Sequence, residues 1–171
     1  MGQNIIGFLS SNRNHKEITT QMNNPKISFI IPCYNAELHI QSCIESIHPA
    51  VPYEIVVIND GSTDNTTQKV RKLMSHYGNI VFIEKENEGA NAARRDGWKT
   101  AKGEYVCFVD ADDTIESDSG IWKRLDKNYD ILKAGGHYIS NGNRILYNNS
   151  YIGEIRTAEC AYILMLDSRL L

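Results

Sequence analysis

Four short apolar runs, separated by segments with helical spacing, constrain the fold of this 171-residue chain more than any other feature. Each run has the length of a strand and is apolar on both faces. The predicted strands cover residues 27–33, 53–59, 79–84 and 104–110. The predicted helices between them cover residues 37–48, 64–77 and 89–101. Because such strands alternate with helices, we predict an α/β fold with a mostly parallel sheet and helices on both faces.

In two of the predicted helices the apolar side chains are spaced so that they share one inward face. These residues are Leu38, Ile40, Ile44 and Ile47 in the first helix, and Val70, Leu73 and Met74 in the second.

The two ends of the chain are less regular. Residues 1–25 are rich in Asn, Ser, Gln and Thr and end at Pro25, so we predict an N-terminal extension before one domain over residues 26–171. Asn141-Gly142 lies between two β-rich runs and predicts a hairpin. The further predicted elements are a helix at 121–127, a strand at 130–135, hairpin strands at 137–140 and 144–147, and an apolar helix at 158–166.

The charge and hydropathy of the chain disfavour two classes of partner. The formal net charge is -3, so there is no overall basic field of the kind that binds duplex nucleic acid. No apolar run approaches the ~20 residues that cross a bilayer. The N-terminus has no basic segment before its short apolar patch, which argues against a secretory signal. We therefore predict a cytoplasmic protein with no nucleic-acid partner.

Polar residues follow each of the four predicted strands at the point where the strand ends. In an open parallel α/β sheet, ligands bind beyond the carboxyl ends of the strands. The sequence therefore predicts a site at this edge. Its candidate residues are Pro32, Tyr34, Asn35 and Glu37 after the first strand, Asp60, Gly61, Ser62, Thr63 and Asp64 after the second, Asn87, Glu88 and Gly89 with Arg94 or Arg95 after the third, and Asp110, Asp112 and Asp113 after the fourth.

The acidic turn at residues 110–113 has two interpretations. Asp110, Asp112 and Asp113 repel one another, and a divalent cation with oxygen ligands, Mn²⁺ or Mg²⁺, relieves that repulsion. The alternative is a set of solvated turn acids with a helix cap. Asp64 has a similar alternative, because it precedes a helix and can cap it.

Three stretches of the chain, taken together, resemble family 2 glycosyltransferases of the GT-A fold. They are FIIPCYNAE, EIVVINDGSTDNT and NEGANAARRDGWKTAKGEYVCFVDADD, in order and at the usual spacings. The resemblance covers about residues 26–135. It implies that Tyr34 lies against a uracil-like base and that Asp60 hydrogen-bonds that base. It also implies that Pro32 and Glu37 line the nucleoside pocket, and that Gly61 and Ser62 shape the adjacent turn.

The resemblance assigns the remaining candidates to the diphosphate and the metal. Arg94 would contact the donor, and Asp110 would face the ribose or the metal. Asp112 would be the main ligand of Mn²⁺ or Mg²⁺, because Asp110 and Asp112 match the D-x-D motif of the family. Asp113 is a weaker candidate.

The resemblance implies an inverting, metal-dependent glycosyltransferase. Its donor would be a nucleotide-diphospho-sugar, a UDP-sugar, and its acceptor a saccharide or lipid-linked molecule in bacterial surface-polysaccharide synthesis. Complete members carry the catalytic base on a later part of the chain, so we expect the base beyond residue 171 and residues 26–171 to be a donor-binding part that is incomplete at its C-terminus. The alternative is a donor-binding module without turnover. We also expect peripheral contact with the inner membrane face, and self-association that covers an open sheet edge.

Overall fold

Eight strands and three helices make up the part of the chain that the computed structural model describes: residues 25–115, Trp122, Leu125 and strands between residues 131 and 167. The strands are β1 (Ile27–Cys33), β2 (Tyr53–Asp60), β3 (Ile80–Lys85), β4 (Tyr105–Phe108), β5 (Ile131–Ala134), β6 (Gly136–Ser140), β7 (Asn143–Tyr147) and β8 (Ile163–Asp167). The helices are α1 (Ile40–Ser46), α2 (Thr66–Met74) and α3 (Ala90–Thr100).

The main sheet has six strands in the order β3-β2-β1-β4-β8-β5. Strands β3, β2, β1 and β4 run parallel, and β8 runs antiparallel to both of its neighbours. The predicted, mostly parallel sheet is therefore confirmed. Strands β6 and β7 form a separate antiparallel pair, which confirms the hairpin predicted around Asn141-Gly142.

The apolar helix predicted at residues 158–166 is wrong where the structure describes it. Strand β8 occupies Ile163–Asp167 and inserts between β4 and β5. A short apolar run has no periodicity that separates a buried strand from a helix, and here pairing with two neighbouring strands decides the conformation. Residues 1–24 and 158–162 lie outside the described residues, as does the helix predicted at 121–127 apart from Trp122 and Leu125. The predicted domain boundary stays a prediction.

The sheet has an apolar core on each face. On one face, odd-numbered residues of β1 and β2 pack with α1, α2 and the buried ring of Trp122, which meets Phe29 edge-on at 5.6 Å between ring centroids. On the other face, even-numbered residues pack with α3. Helices therefore cover both faces, as predicted. The packing follows from β1, whose seven residues are all buried.

Two residues predicted to face inward are exposed instead. Leu38 lies in the turn before α1 begins at Ile40, so it does not share the face formed by Ile40 and Ile44. Met74 is the last residue of α2, and its side chain reaches past the edge of the core. In both cases the observed helix is shorter than the predicted one.

Helix α3 packs unusually close to the sheet at Gly97. A Cβ atom at this position would overlap Cγ2 of Ile30 and lie 3.2 Å from Cγ1 of Ile58. Both isoleucines are fully buried, so they have little room to move. The absence of a side chain at Gly97 therefore sets the distance between α3 and the sheet.

None of the three helices in the described part of the chain has the length and hydrophobicity of a membrane span.

We predict that Gly97→Ala lowers the free energy of unfolding by about 1–3 kcal/mol, because the added methyl group overpacks the interface between α3 and the sheet. This loss should exceed the gain of about 1 kcal/mol that Ala has over Gly in a helix. Urea denaturation of the purified chain measures the change. The matched control is Asn91→Ala on the exposed side of α3, with a change within about 0.5 kcal/mol. A Gly97→Ala chain at least as stable as wild type would contradict the close packing.

Candidate functional site

The carboxyl ends of the parallel strands meet at one edge of the sheet, as the sequence predicts. Cys33 at the end of β1 is in register with Asn59 near the end of β2, and Asp60 is in register with Lys85 at the end of β3. The amide of Val109, just after β4, donates to the carbonyl of Ile30 at 2.9 Å. The segments that follow β1, β2, β3 and β4 therefore start side by side.

Pro32 lies inside β1 and is buried, two residues before the exposed ring of Tyr34. Proline cannot donate to a strand ladder, which normally excludes it from a central strand. Here the carbonyl of Ile30 faces β4, so the backbone nitrogen of Pro32 faces the same side. The pairing of β1 with β4 ends at Ile30, and the missing amide therefore breaks no ladder hydrogen bond.

Asn35 joins the segment after β1 to the segment after β2. Its amide donates to Oγ of Ser62 at 2.9 Å, and its Oδ1 accepts from the Thr63 amide at 2.8 Å. Ser62 in turn donates its amide to Oδ1 of the buried Asn59 at 3.0 Å. Ser62, a predicted site residue, is therefore held from both sides. Asn35 and Thr63 belong to the polar residues predicted at the strand ends, but the sequence assigns neither of them a role.

Glu37 and Asp64 extend the same connection. The Glu37 amide donates to Oδ2 of Asp64 at 3.0 Å, and Oε2 of Glu37 accepts from the Asn65 amide at 2.9 Å. The Ala36 amide donates to Oγ1 of the buried Thr66 at 2.8 Å. The carboxylate of Glu37, predicted to line the nucleoside pocket, thus satisfies an amide just before α2. We name all the hydrogen bonds between residues 35–37 and 62–66 the tip clasp.

Asp64 accepts hydrogen bonds from both sides of the tip clasp. Besides the Glu37 amide, its Oδ1 accepts from the amide of Thr66 at 2.9 Å and from the hydroxyl of Thr66 at 2.5 Å. Partial desolvation raises the pKa of Asp64, but these hydrogen bonds outweigh it and lower the pKa below its ordinary value. The capping interpretation of Asp64 is supported, although the residue that directly precedes the helix is Asn65.

Asp60 is only 3% exposed and supports the segment before α3. Its Oδ1 accepts from the Glu88 amide at 3.0 Å and its Oδ2 from the Gly89 amide at 2.8 Å. Gly61 follows with φ of +76°, and a Cβ there would lie 2.9 Å from the Asn87 amide nitrogen. Glycine is therefore required at Gly61 both by the backbone angle and by the close approach of this segment.

Lys85 fixes the same segment from the other side. Its Nζ donates to Oε2 of Glu88 and to Oδ2 of Asp96, each at 2.6 Å. Asp96 lies on α3, so this pair of ion pairs joins β3 to the helix. The sequence does not single out Lys85, because its only signal is a cation at the end of a strand whose one sheet neighbour, β2, ends in Asp60.

Arg94 and Asp110 meet across the site. A guanidinium nitrogen of Arg94, on α3, donates to Oδ1 of Asp110 at 2.5 Å. The two side chains are 33% and 55% exposed, so the pair faces solvent. An exposed ion pair contributes little to stability. Either side chain can therefore leave the pair and bind a charged ligand instead.

The acidic turn lies beside this ion pair. The Asp113 amide donates to the Asp110 carbonyl at 2.9 Å, and the side chains of Asp112 and Asp113 are exposed. Desolvation raises the pKa of Asp113, and the negative charges of Asp112 and Asp110 raise it further. Beneath the turn, burial raises the pKa of the Cys43 thiol to about 12. That thiol faces the Asp110 carbonyl at 3.6 Å.

The donor chemistry of the acidic turn fits a hard divalent cation. Carboxylate oxygens are the ligands that Mg²⁺ and Mn²⁺ prefer, and their mutual repulsion falls when a cation binds. Among the described residues, no three His, Cys, Asp or Glu side chains already form a metal-binding group. Residues 110–113 supply oxygen ligands on one turn, and the roles of Asp110 and Asp112 toward a metal stay predictions.

We predict that Asp64→Ala lowers the free energy of unfolding at pH 7 by about 1 kcal/mol, the usual effect of losing a capping side chain. The folded state lowers the pKa of Asp64, so its contribution is complete above the unfolded-state pKa and is lost as the pH falls through the folded-state pKa. The difference from wild type should therefore shrink below about pH 4. Urea titrations from pH 3 to pH 7 measure it. The exposed Glu86→Gln variant is the control, and a constant difference over this range would contradict the assignment.

Comparison with known proteins assigns this chain to a family. The family described as "Glycosyl transferase family 2" matches residues 28–168. Glycosyltransferase GlyA of Streptococcus pneumoniae serotype 4 is 35% identical over 133 residues, which are 75% of this chain and 19% of that protein. The poly(ribitol-phosphate) beta-glucosyltransferase of Bacillus spizizenii is 41% identical over 100 residues, which are 55% of this chain and 16% of that protein.

A solved structure agrees with the sequence comparison. S. aureus TarS 1-349 in complex with UDP-GlcNAc superposes with a TM-score of 0.59 at 33% identity, over 63% of this chain and 33% of that one. The chain thus spans less than a fifth of the two curated relatives and about a third of TarS 1-349. This likeness confirms the GT-A fold. Since the family match covers most of the chain and follows the strands that carry the site, the protein belongs to glycosyl transferase family 2.

Proposed function

We propose that residues 26–171 are the donor-binding part of an inverting, metal-dependent glycosyltransferase that uses a UDP-sugar. One observation carries the proposal: in a family 2 chain, Tyr34, Asp60, Arg94 and Asp110 all lie at the edge where neighbouring parallel strands end. An aromatic ring, a buried carboxylate and a cation–carboxylate pair are the groups that a base, a ribose and a diphosphate require.

The uridine moiety would bind at the tips of β1 and β2. The ring of Tyr34 is 52% exposed beside the sheet edge and offers a stacking surface for a planar base. Asp60 accepts two amides, and a carboxylate has about four lone-pair sites, so it can also accept an N–H of the base. Gly61 and Ser62 continue from Asp60 and would shape the floor of the pocket, with Pro32 buried beneath it. The binding of UDP-GlcNAc by TarS supports a uridine donor.

The diphosphate would bind between α3 and the acidic turn. Arg94 would exchange Asp110 for a phosphate oxygen, and Asp110 and Asp112 would then hold Mn²⁺ or Mg²⁺. When bound, the metal neutralises the negative charge that builds on the leaving diphosphate. Glu37 keeps its place in the tip clasp and would line the nucleoside pocket with its backbone.

Inversion requires a general base that deprotonates the acceptor hydroxyl on the face opposite the leaving group. We assign this role to no described residue, because Asp60, Glu37 and Asp64 are already engaged by amides of the fold. The proposed acceptor is a saccharide or lipid-linked molecule of a surface polysaccharide, as the name of the poly(ribitol-phosphate) glucosyltransferase supports. The proposal includes a cytoplasmic site of action, peripheral contact with the membrane that carries the acceptor, and self-association.

We predict that the purified chain binds UDP with Mn²⁺ and loses most of that affinity in EDTA. Asp112→Asn should weaken Mn²⁺-dependent binding by at least about tenfold, or about 1.4 kcal/mol, because it removes a charged metal ligand. Asp113→Asn should have a smaller effect and serves as the matched control on the same turn. Isothermal titration calorimetry measures both. Unchanged affinity in Asp112→Asn would refute the metal assignment, and no UDP binding by the wild-type chain with Mn²⁺ would refute the uridine donor.

Turnover separates a transferase from a donor-binding module. Release of UDP from UDP-GlcNAc, with and without an added saccharide acceptor, measures it. Acceptor-dependent release would identify a complete active site within residues 1–171. Binding without release would identify these residues as the donor-binding part alone.

A further inference from the structure

The strongest unexplained feature near the site is the backbone of Asn35. Its φ is +50°, the only positive φ of a non-glycine residue in the described part of the chain. The left-handed conformation is unfavourable for most side chains, and asparagine tolerates it better than most. A residue held in this conformation at the edge of a site therefore has a reason that lies in the surroundings.

Asn35 lies between two parts of the proposed uridine pocket. Tyr34, which precedes it, presents the exposed ring, and Ser62 receives the Asn35 amide at 2.9 Å. The Asn35 side chain reaches the Thr63 amide at 2.8 Å and the Thr63 hydroxyl at 3.3 Å. Asn35 thus ties the chain segment next to Tyr34 to the tip of β2, through its backbone amide to Ser62 and through its side chain to Thr63.

We propose that Asn35 is a positioning residue for donor binding, which holds the segment of Tyr34 against the tip of β2 before the nucleotide arrives. This proposal rests on the proposed function, because it supplies the preorganisation that nucleotide binding would otherwise have to create. The Asn35 side chain needs no contact with the nucleotide. Its role is carried by the shorter bond, in which Oδ1 of Asn35 accepts from the Thr63 amide at 2.8 Å.

Two variants of Asn35 and one of Thr63 differ in which of these hydrogen bonds they keep. Asn35→Gly keeps the backbone conformation without strain and loses both side-chain bonds. Asn35→Asp keeps the acceptor oxygen and tolerates the same backbone, but it adds a negative charge. Thr63→Val keeps the Thr63 amide, which makes the shorter bond, and loses only the hydroxyl. Thr63→Val is therefore the matched control.

The first measurement needs no nucleotide. Hydrogen exchange of the Thr63 amide, followed by NMR, should be slow in wild type, Asn35→Asp and Thr63→Val. In Asn35→Gly it should be at least about tenfold faster, because the acceptor is lost. Equal exchange in wild type and Asn35→Gly would overturn the proposal at its structural step.

The second measurement is binding. With Mn²⁺, Asn35→Gly should bind UDP about fivefold more weakly than wild type, because the Tyr34 loop must be ordered on binding. Its urea midpoint should stay that of wild type, because glycine relieves the left-handed backbone strain at position 35 and this offsets the lost hydrogen bonds. Thr63→Val should match wild type in both the urea midpoint and the UDP affinity. Asn35→Asp is tested with uridine, which is neutral and does not sense the added charge, and should bind within about twofold of wild type.

The outcomes separate this proposal from the proposed function. Wild-type affinity in Asn35→Gly overturns the positioning role and leaves the UDP site standing. A loss of affinity in Asn35→Gly together with a lower urea midpoint marks a merely structural role and also overturns it. Failure of the wild-type chain to bind UDP overturns the proposed function, and the positioning role for a nucleotide falls with it. This holds even where hydrogen exchange of the Thr63 amide is slow.

Discussion

Strand β1 is buried along its whole length, and the rest of the structure depends on keeping it so. Its two edges pair in parallel with β2 and β4, and its two faces are covered by α1 and α2 on one side and α3 on the other. Parallel pairing on both edges forces the segments after these strands to begin at the same end. The close fit of α3 at Gly97 brings Arg94 to that end as well. The site is thus a consequence of how a fully buried strand is enclosed.

The polar groups at this edge are organised largely by one another. Asp60 supports the backbone before α3, the tip clasp joins the segments after β1 and β2, and Arg94 meets Asp110 across the opening. Each buried member has a hydrogen-bond partner within the fold, whereas the ion pair faces solvent. This difference suits a binding site. The groups that would shape the pocket are held by buried hydrogen bonds, whose loss lowers the free energy of unfolding. The groups that would meet a charged ligand are held by an exposed ion pair, which a ligand can replace.

Sequence alone predicts the four parallel strands well, because their apolar runs are short, rich in Ile and Val, and separated by segments with helical spacing. It also predicts which residues share the binding edge, since that follows from parallel pairing. It fails at β8, where an apolar run was assigned to a helix and the choice was made by neighbouring strands. It also does not reveal the hydrogen-bond partners of Asp60 and Glu37, or the ion pairs of Lys85. Those contacts join separate segments of the chain, and the paths of the connecting loops depend on the finished sheet.

The antiparallel strand β8 has a consequence for the order of folding. It fills the space between β4 and β5, yet it is synthesised after both of them and after the β6–β7 hairpin. Until it arrives, β4 presents an unpaired edge beside the most apolar strand of the sheet, and such an edge can pair with another chain. The candidate site residues all precede β8 in the chain, whereas closure of the sheet needs this distant strand. In a nascent chain that lacks β8, β4 would therefore leave an open flank, and pairing with another chain would begin there.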